Sequence, residues 1–164
     1  MWRYFEVMPI LDESNVVTLG EGFTPILQAK RLGKYLGYSS LYIKDEGVNP
    51  TASFKARGLS AAVSKAKEFG ITKLTMPSAG NAAGAMSAYA AKADMEAFLF
   101  MPQDVPQANK VEVEMTNGNL ILVDGLITDA GQMSSKKAAE LDLFDVSSLK
   151  EPYRVEGKKQ WGTR

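Results

Sequence analysis

The chain has 164 residues, 45% of them hydrophobic, which is enough for one globular domain with a sizeable core. Its 19 Lys and Arg balance 19 Asp and Glu, so charge gives no support for a nucleic-acid or anionic-membrane partner. Cysteine and histidine are both absent, which excludes disulfides, thiolate catalysis, Ser-His-Asp or Cys-His mechanisms and the commonest zinc sites; no metal is expected. Base chemistry must then come from Lys, Asp, Glu or Tyr. The N-terminus, Met1-Trp2-Arg3-Tyr4-Phe5, lacks a long apolar stretch, and no run approaches the roughly 20 apolar residues of a membrane helix. The expectation is a cytoplasmic protein without a membrane partner.

Residues 1–24 are irregular and read as an arm packing on a larger body, ending in Leu19-Gly20-Glu21-Gly22-Phe23-Thr24-Pro25. Leu27 to Leu36 has helical spacing, with Gly37 as its C-cap, and Leu41 to Lys44 reads as a short strand. A helix is predicted over Ser53 to Phe69, where Leu59, Ala62, Val63, Ala66 and Phe69 recur at three- and four-residue spacing. Strands follow at Lys73 to Pro77, Glu96 to Met101, Leu120 to Val123 and Leu143 to Val146. Between them lie helices at Asn81 to Ala93, Gln107 to Met115 and Thr128 to Leu141. This alternation predicts an α/β fold: an open, mostly parallel sheet with helices on both faces. Ligands of such sheets bind at the C-terminal ends of strands, where Ser78-Ala79-Gly80-Asn81 lies. After Ser148 the pattern breaks and predicts no further element. The expected organisation is an arm with the first helix and strand over 1–48, a small α/β domain over 49–148, and over 149–164 the start of a return into a larger domain.

Two motifs carry chemistry. In Asn49-Pro50-Thr51-Ala52-Ser53-Phe54-Lys55-Ala56-Arg57-Gly58, Pro50 keeps Asn49 extended, and Thr51 or Ser53 can cap the following helix. Lys55 then falls in the first helical turn, where the dipole, the neighbouring Arg57 and burial all disfavour its charged form. A neutral amine is what Schiff-base chemistry requires; the alternative is an exposed lysine on a helix face. In Ser78-Ala79-Gly80-Asn81-Ala82-Ala83-Gly84-Ala85, Gly80 permits a tight turn, and Ser78, Asn81 and the free N–H groups of a helix start form an anion-friendly nest. The alternative is an ordinary strand-to-helix turn with Gly84 packed on the sheet.

The segment Pro50 to Gly58 resembles the cofactor-lysine motif of fold-type II pyridoxal-phosphate (PLP) enzymes, and Ser78 to Asn81 resembles their substrate-carboxylate and cofactor-ring loop. Leu19 to Pro25, Val123-Asp124-Gly125-Leu126-Ile127-Thr128-Asp129 and Leu149 to Lys159 are similar to segments of threonine synthases. Five motifs in order span nearly the whole chain. The resemblance implies the small domain of a fold-type II enzyme, with PLP as cofactor on Lys55, Phe54 against it and Asn81 on its ring hydroxyl. It implies that Ser78, Ala79, Gly80 and Asn81 grip the substrate carboxylate and that Arg154 lies near the substrate phosphate, a task suited to its bidentate donors. The implied partner is a small amino-acid phosphate: the family converts O-phospho-homoserine and water to threonine and phosphate, with Lys55 as proton shuttle. A surface cation is the alternative reading of Arg154.

The chain departs from the family at Ala52, where glycine is common, at Ala82, where many relatives carry threonine, and at the tail Gln160-Trp161-Gly162-Thr163-Arg164. Family members are about twice this length, and the second half carries the cofactor's phosphate loop and the partner of its pyridine nitrogen. Alone, the chain is expected to bind PLP weakly, to turn over poorly, and to self-associate through the face a larger domain would cover. Two other readings stay open: a serine/threonine dehydratase-like lyase, and a non-catalytic α/β module.

Overall fold

Four parallel strands, β3 (Lys73–Pro77), β4 (Glu96–Pro102), β5 (Asn119–Val123) and β6 (Phe144–Asp145), form the central sheet in the order β5-β4-β3-β6. The computed structural model of the chain describes residues 1–161. Alternation along the strands sends side chains to two faces. Leu74, Met76, Leu99 and Met101 are buried with Leu59, Val63, Met86 and Tyr89, which belong to α2 (Lys55–Glu68) and α3 (Ala82–Lys92). Phe100 and Val123 face the opposite way, onto Ala130 of α5 (Ile127–Leu141), and Thr75 Oγ1 meets Ser134 Oγ of the same helix at 2.9 Å. The sheet is thus covered on both faces, and α4 (Gln107–Met115) packs beside α3.

The apolar run at residues 27–36 does not form one helix. It divides at Ala29 into β1 (Ile26–Gln28) and α1 (Lys30–Leu36), because β1 pairs antiparallel with β2 (Tyr42–Lys44) in the register Leu27↔Ile43. Gly37 caps α1 in the left-handed conformation, as its position suggested. This small unit leaves Ile26, Leu27, Tyr35, Tyr38, Tyr42 and Ile43 exposed. Residues 149–161 also depart from expectation. They form α6 (Tyr153–Glu156) and a 3-10 turn at Lys159–Trp161, and α6 lies across α2. Two glycines permit this: a Cβ on Gly157 would lie 2.4 Å from Arg57 O, and one on Gly58 would lie 2.9 Å from Arg154 O. Residues 162–164, the end of the segment expected to return into a larger domain, lie outside the described residues.

The N-terminal arm packs on this chain's own helices. Met1 and Met8 bury against Ala61, and Val17 joins the main core. Its buried anchor is Glu21, 2% exposed, whose carboxylate receives Trp2 Nε1 (2.9 Å), Ser60 Oγ (2.7 Å), Tyr89 Oη (2.6 Å) and the Leu19 N–H (3.1 Å). Burial and the Glu21 charge push the Tyr89 hydroxyl far above the ordinary tyrosine range, so it remains a donor. Replacing Glu21→Ala orphans several buried donors and is expected to cost about 2–4 kcal/mol, read as a lowered urea midpoint.

Candidate active site around Lys55

The approach to Lys55 is strained. Asn49 is extended before Pro50, then Thr51 (φ 63°) and Ala52 (φ 50°) both take the left-handed conformation. Each costs a non-glycine residue about 1–2 kcal/mol. Ser53 returns to extended backbone, and α2 starts at Lys55. Neither expected residue is the N-cap, which is Phe54 without a side-chain cap; Ser53 Oγ accepts the Lys55 N–H at 3.3 Å, and Thr51 makes no such bond. The Thr51 hydroxyl is instead buried without a partner among the described residues.

The Lys55 side chain is partly buried, with Nζ 4.4 Å from the centroid of the Phe54 ring. Burial lowers its pKa below the ordinary lysine value, and the positive charge of Arg154 lowers it further. The neighbouring cation is therefore Arg154, not the Arg57 expected from sequence. Arg57 is 2% exposed and fully engaged: Nε reaches Glu46 Oε2 at 2.6 Å, one Nη reaches Glu46 Oε1 at 2.8 Å, and the other reaches Gln160 Oε1 at 3.3 Å. Burial would raise the Glu46 carboxyl, but hydrogen bonds from Arg57, Thr24 and Asn49 outweigh it and hold the group at about 2.

Arg154 is no surface cation. It is 5% exposed, and one guanidinium nitrogen donates to Val146 O (2.7 Å) and approaches Met76 Sδ (3.3 Å). This ties the start of α2 to the C-terminal end of β3, two residues before Ser78. There Ser78 is buried and its hydroxyl closes on its own loop, meeting Gly80 O at 3.0 Å and Gly80 N at 3.3 Å. Ala79 and Asn81 are exposed and Gly80 partly so. Asn81 precedes α3 without capping it by its side chain. Its carboxamide and the N–H groups of Asn81 and Ala82 have no acceptor or donor partner among the described residues. Gly84 makes room not for the sheet but for α4: a Cβ there would lie 2.3 Å from Glu112 Oε2. No hydrogen bond joins the 78–81 loop directly to the lysine motif; they meet through the Pro50–Ala52 turn, which packs on α3, and through Arg154.

Among the described residues, the arrangement presents an amine with no acidic partner, an unpaired buried hydroxyl at Thr51, an open carboxamide at Asn81, and a helix start with free N–H groups. Such a donor set fits a polar, anionic ligand with a carbonyl group. A sequence model of the family described as "Pyridoxal-phosphate dependent enzyme" matches residues 17–163. The chain belongs to this family.

The family's cofactor is pyridoxal phosphate, and the fit of the residues around Lys55 agrees with it. Among relatives, the threonine synthase of Methanocaldococcus jannaschii is 37% identical over 160 residues, covering 97% of this chain and 39% of that protein. The threonine synthase of Synechocystis sp. is 36% identical over 165 residues, covering 96% and 43%. The chain spans about two-fifths of the length of these relatives. Among solved structures, maize serine racemase superposes with a TM-score of 0.76 at 22% identity, covering 84% of this chain and 42% of that one. The processed threonine deaminase isoform 2 of Solanum lycopersicum gives 0.76 at 25% identity, covering 85% and 39%. These likenesses establish the fold-type II α/β layout. No helix among the described residues is long and apolar enough to cross a membrane.

Three residues of the site hold places in the structure that the sequence does not disclose. Lys158 lies within a quoted motif, yet only the α6 crossing brings it near Lys55. Thr51 was read as a cap, and its left-handed φ has no signal in a Pro-Thr-Ala sequence. Glu46 could have been suspected from the Asp45-Glu46-Gly47 turn, but its partner Arg57 could not.

Two outcomes follow from this geometry. Ala52→Gly relieves a left-handed alanine and is expected to raise stability by about 0.5–1 kcal/mol, read as a higher urea midpoint. Because Glu46 is held at about 2 against an ordinary 4.5, its contribution is complete above 4.5 and is lost as pH falls toward 2. The loss of stability over that window is expected to flatten in Glu46→Gln, measured by denaturant unfolding at stepped pH.

Proposed function

We propose that this chain is the lysine-bearing part of a threonine-synthase-like PLP enzyme that converts O-phospho-homoserine and water to threonine and phosphate. The observation that carries this reading is the Lys55 amine: partly buried, beside Arg154, without a carboxylate partner among the described residues, at a helix start. Bound PLP supplies the electron sink for chemistry at the substrate carbons. The chain supplies the rest. Lys55 is the amine that holds the cofactor carbonyl and, with its proton affinity lowered by burial and by Arg154, takes and returns a proton more readily than an ordinary lysine. Phe54, 37% exposed beside that amine, offers a flat apolar face to the cofactor. Asn81 offers a hydrogen bond to its ring, and Ser78, Ala79 and Gly80 carry the backbone that meets a substrate carboxylate. Arg154 supplies the positive charge on the side where a substrate phosphate would sit. The remaining length of the relatives is assigned the grip on the cofactor phosphate, so this chain alone binds PLP weakly and turns over poorly. The exposed apolar face of β1, α1 and β2 is assigned to a partner domain or a second copy.

Borohydride reduction after PLP titration, with peptide mapping, tests this. The expected result is a covalent adduct at Lys55, lost in Lys55→Met with the fold preserved by circular dichroism. Folded protein without an adduct at Lys55 would favour a non-catalytic module. Adding O-phospho-homoserine to the loaded chain is expected to perturb the cofactor absorbance more than serine or threonine does. An equal response to all three would favour a dehydratase-like lyase.

A further inference from the structure

Helices α3 and α4 lie side by side, and their facing residues meet in three steps. Asn109, Glu112 and Val113 share one face of α4 at three- and four-residue spacing, and the row continues to Thr116 at the helix end. Two of the steps are closed. At the far end, Ser87 Oγ donates to Val113 O at 3.3 Å and receives Thr116 Oγ1 at 2.6 Å. In the middle, the Glu112 carboxyl takes the place of a side chain at Gly84, where a Cβ would lie 2.3 Å from Oε2. The first step, beside the 78–81 loop, is open. A Cβ on Gly80 would meet only Asn109 Nδ2, at 3.9 Å, an ordinary contact distance. The Asn109 side chain is partly buried, and its carboxamide has no hydrogen-bond partner among the described residues.

Gly80 itself points to a ligand. Its φ is not left-handed, and the packing leaves room for a methyl group. Nothing in the chain's own fold requires glycine there, and close approach of a ligand to the backbone accounts for it. The space left in front of Gly80 is bounded on the α4 side by an unused amide donor. We propose that Asn109 is a further substrate-binding residue, whose carboxamide donates to the carboxylate of an amino-acid substrate held on the 78–81 loop. This rests on the reading of that loop as the carboxylate grip.

The nearby charges favour an anion at this step and not at the next. Helices α3 and α4 each follow one of two adjacent parallel strands, so both helix starts lie at the same edge of the sheet, where their dipoles attract an anion. Lys110 is engaged by its own loop, its Nζ donating to Gln103 O at 2.6 Å. Glu112 is the opposing charge. Its Oε2 is buried without a donor one turn further along α3, so it repels an anion from the deeper part of the helix pair. A neutral amide donor is the group left to close over a carboxylate at Gly80.

The test uses phosphopyridoxyl-homoserine, the reduced conjugate of cofactor and amino acid, which binds without reacting. Its companion is the same conjugate made from aminopropanol, which lacks the carboxylate. Affinities of the chain for both are read from the fluorescence of the conjugates. Asn109→Ala is expected to weaken the first probe about five- to thirtyfold and to leave the second unchanged. Because Asn109 holds no partner in the fold, the urea midpoint is expected to stay in place. Asn109→Asp, which sets a negative charge against the carboxylate, is expected to weaken the first probe further still. Gly80→Ala is expected to keep or raise the urea midpoint while weakening the first probe. Equal weakening of both probes in Asn109→Ala, or a lowered urea midpoint in either alanine variant, overturns the proposal by giving these residues a structural role. Unaltered binding of the first probe in Asn109→Ala also overturns it, and the loop reading stands as long as the unsubstituted chain prefers the carboxylate probe. If the unsubstituted chain, folded by circular dichroism, binds both probes equally or binds neither, the loop is no carboxylate grip and both readings fall.

Discussion

The crossing of α6 over the first turns of α2 depends on two missing side chains. Gly157 Cα-to-backbone spacing leaves no room for a methyl group, since a Cβ there would meet Arg57 O at 2.4 Å, Ala61 Cβ at 2.8 Å and Gly58 Cα at 3.0 Å. None of the nearest atoms is the flexible end of a long side chain, so relief would require moving one helix off the other. That crossing carries Arg154 and Lys158 to Lys55. It also lets Arg154 reach Val146 O and Met76 Sδ, so the lysine motif, the C-terminal edge of the sheet and the last helix are held as one unit. Without the crossing, Lys55 would begin an ordinary helix among ordinary charges.

Behind the lysine lies a polar scaffold in which nearly every group is satisfied. Arg57 binds Glu46 through two nitrogens, Thr24 Oγ1 donates to Glu46 at 2.7 Å, Asn49 Nδ2 donates to it at 2.9 Å, and Asn49 Oδ1 accepts the Gly22 N–H at 3.1 Å. Gln160 closes the ring by donating to Met1 O at 2.8 Å. Buried polar groups stabilise a fold only when fully paired, and here the pairing draws together segments distant in sequence: residues 1, 22–24, 46–49, 57 and 160. The exceptions are instructive. Among the described residues, Thr51 Oγ1 is orphaned two residues before Ser53 and four before Lys55, in the one stretch with consecutive left-handed non-glycine residues. Strain and an unpaired hydroxyl coincide in the Pro50–Ala52 turn, while the side carrying Arg57 and Glu46 is saturated. A binding surface is expected to carry unspent hydrogen-bonding capacity in this way.

How much of this the sequence disclosed depends on how local the cause was. The strand at 73–77 and the helix at 107–115 have the same limits in the structure as in the sequence reading, because the alternation of Leu74 and Met76 between turn residues and a three- and four-residue spacing are properties of the segment itself. The helical spacing over Leu27 to Leu36 predicts one helix, but at its start it is overridden by strand pairing with Tyr42–Lys44. Residues 153–161 gave no signal, since four-residue α6 exists only by packing on α2. Within the site, Lys55 and Asn81 were legible because their motifs are contiguous. The partners that set their chemistry were not. Arg57 was read as the cation beside Lys55, but adjacency along the chain is not adjacency in space: a separation of two residues points the side chains to different sides of a helix. The true neighbours, Arg154 and Lys158, arrive from the far end of the sequence.

Phe54 shows how these effects compete at one ring. A cation over an aromatic face gains about 0.5–1 kcal/mol at an exposed site, which favours protonated Lys55. Burial and the charge of Arg154 act the other way, lowering the amine's pKa below the ordinary lysine value. When Lys55 gives up its proton, the ring loses little, for Lys158 still lies over it and Trp161 still fixes its edge. The ring thus stays in place whichever state Lys55 adopts. An aromatic ring that both amines approach, on a helix turn pinned by two glycines, keeps its place with side chains already fixed by the fold.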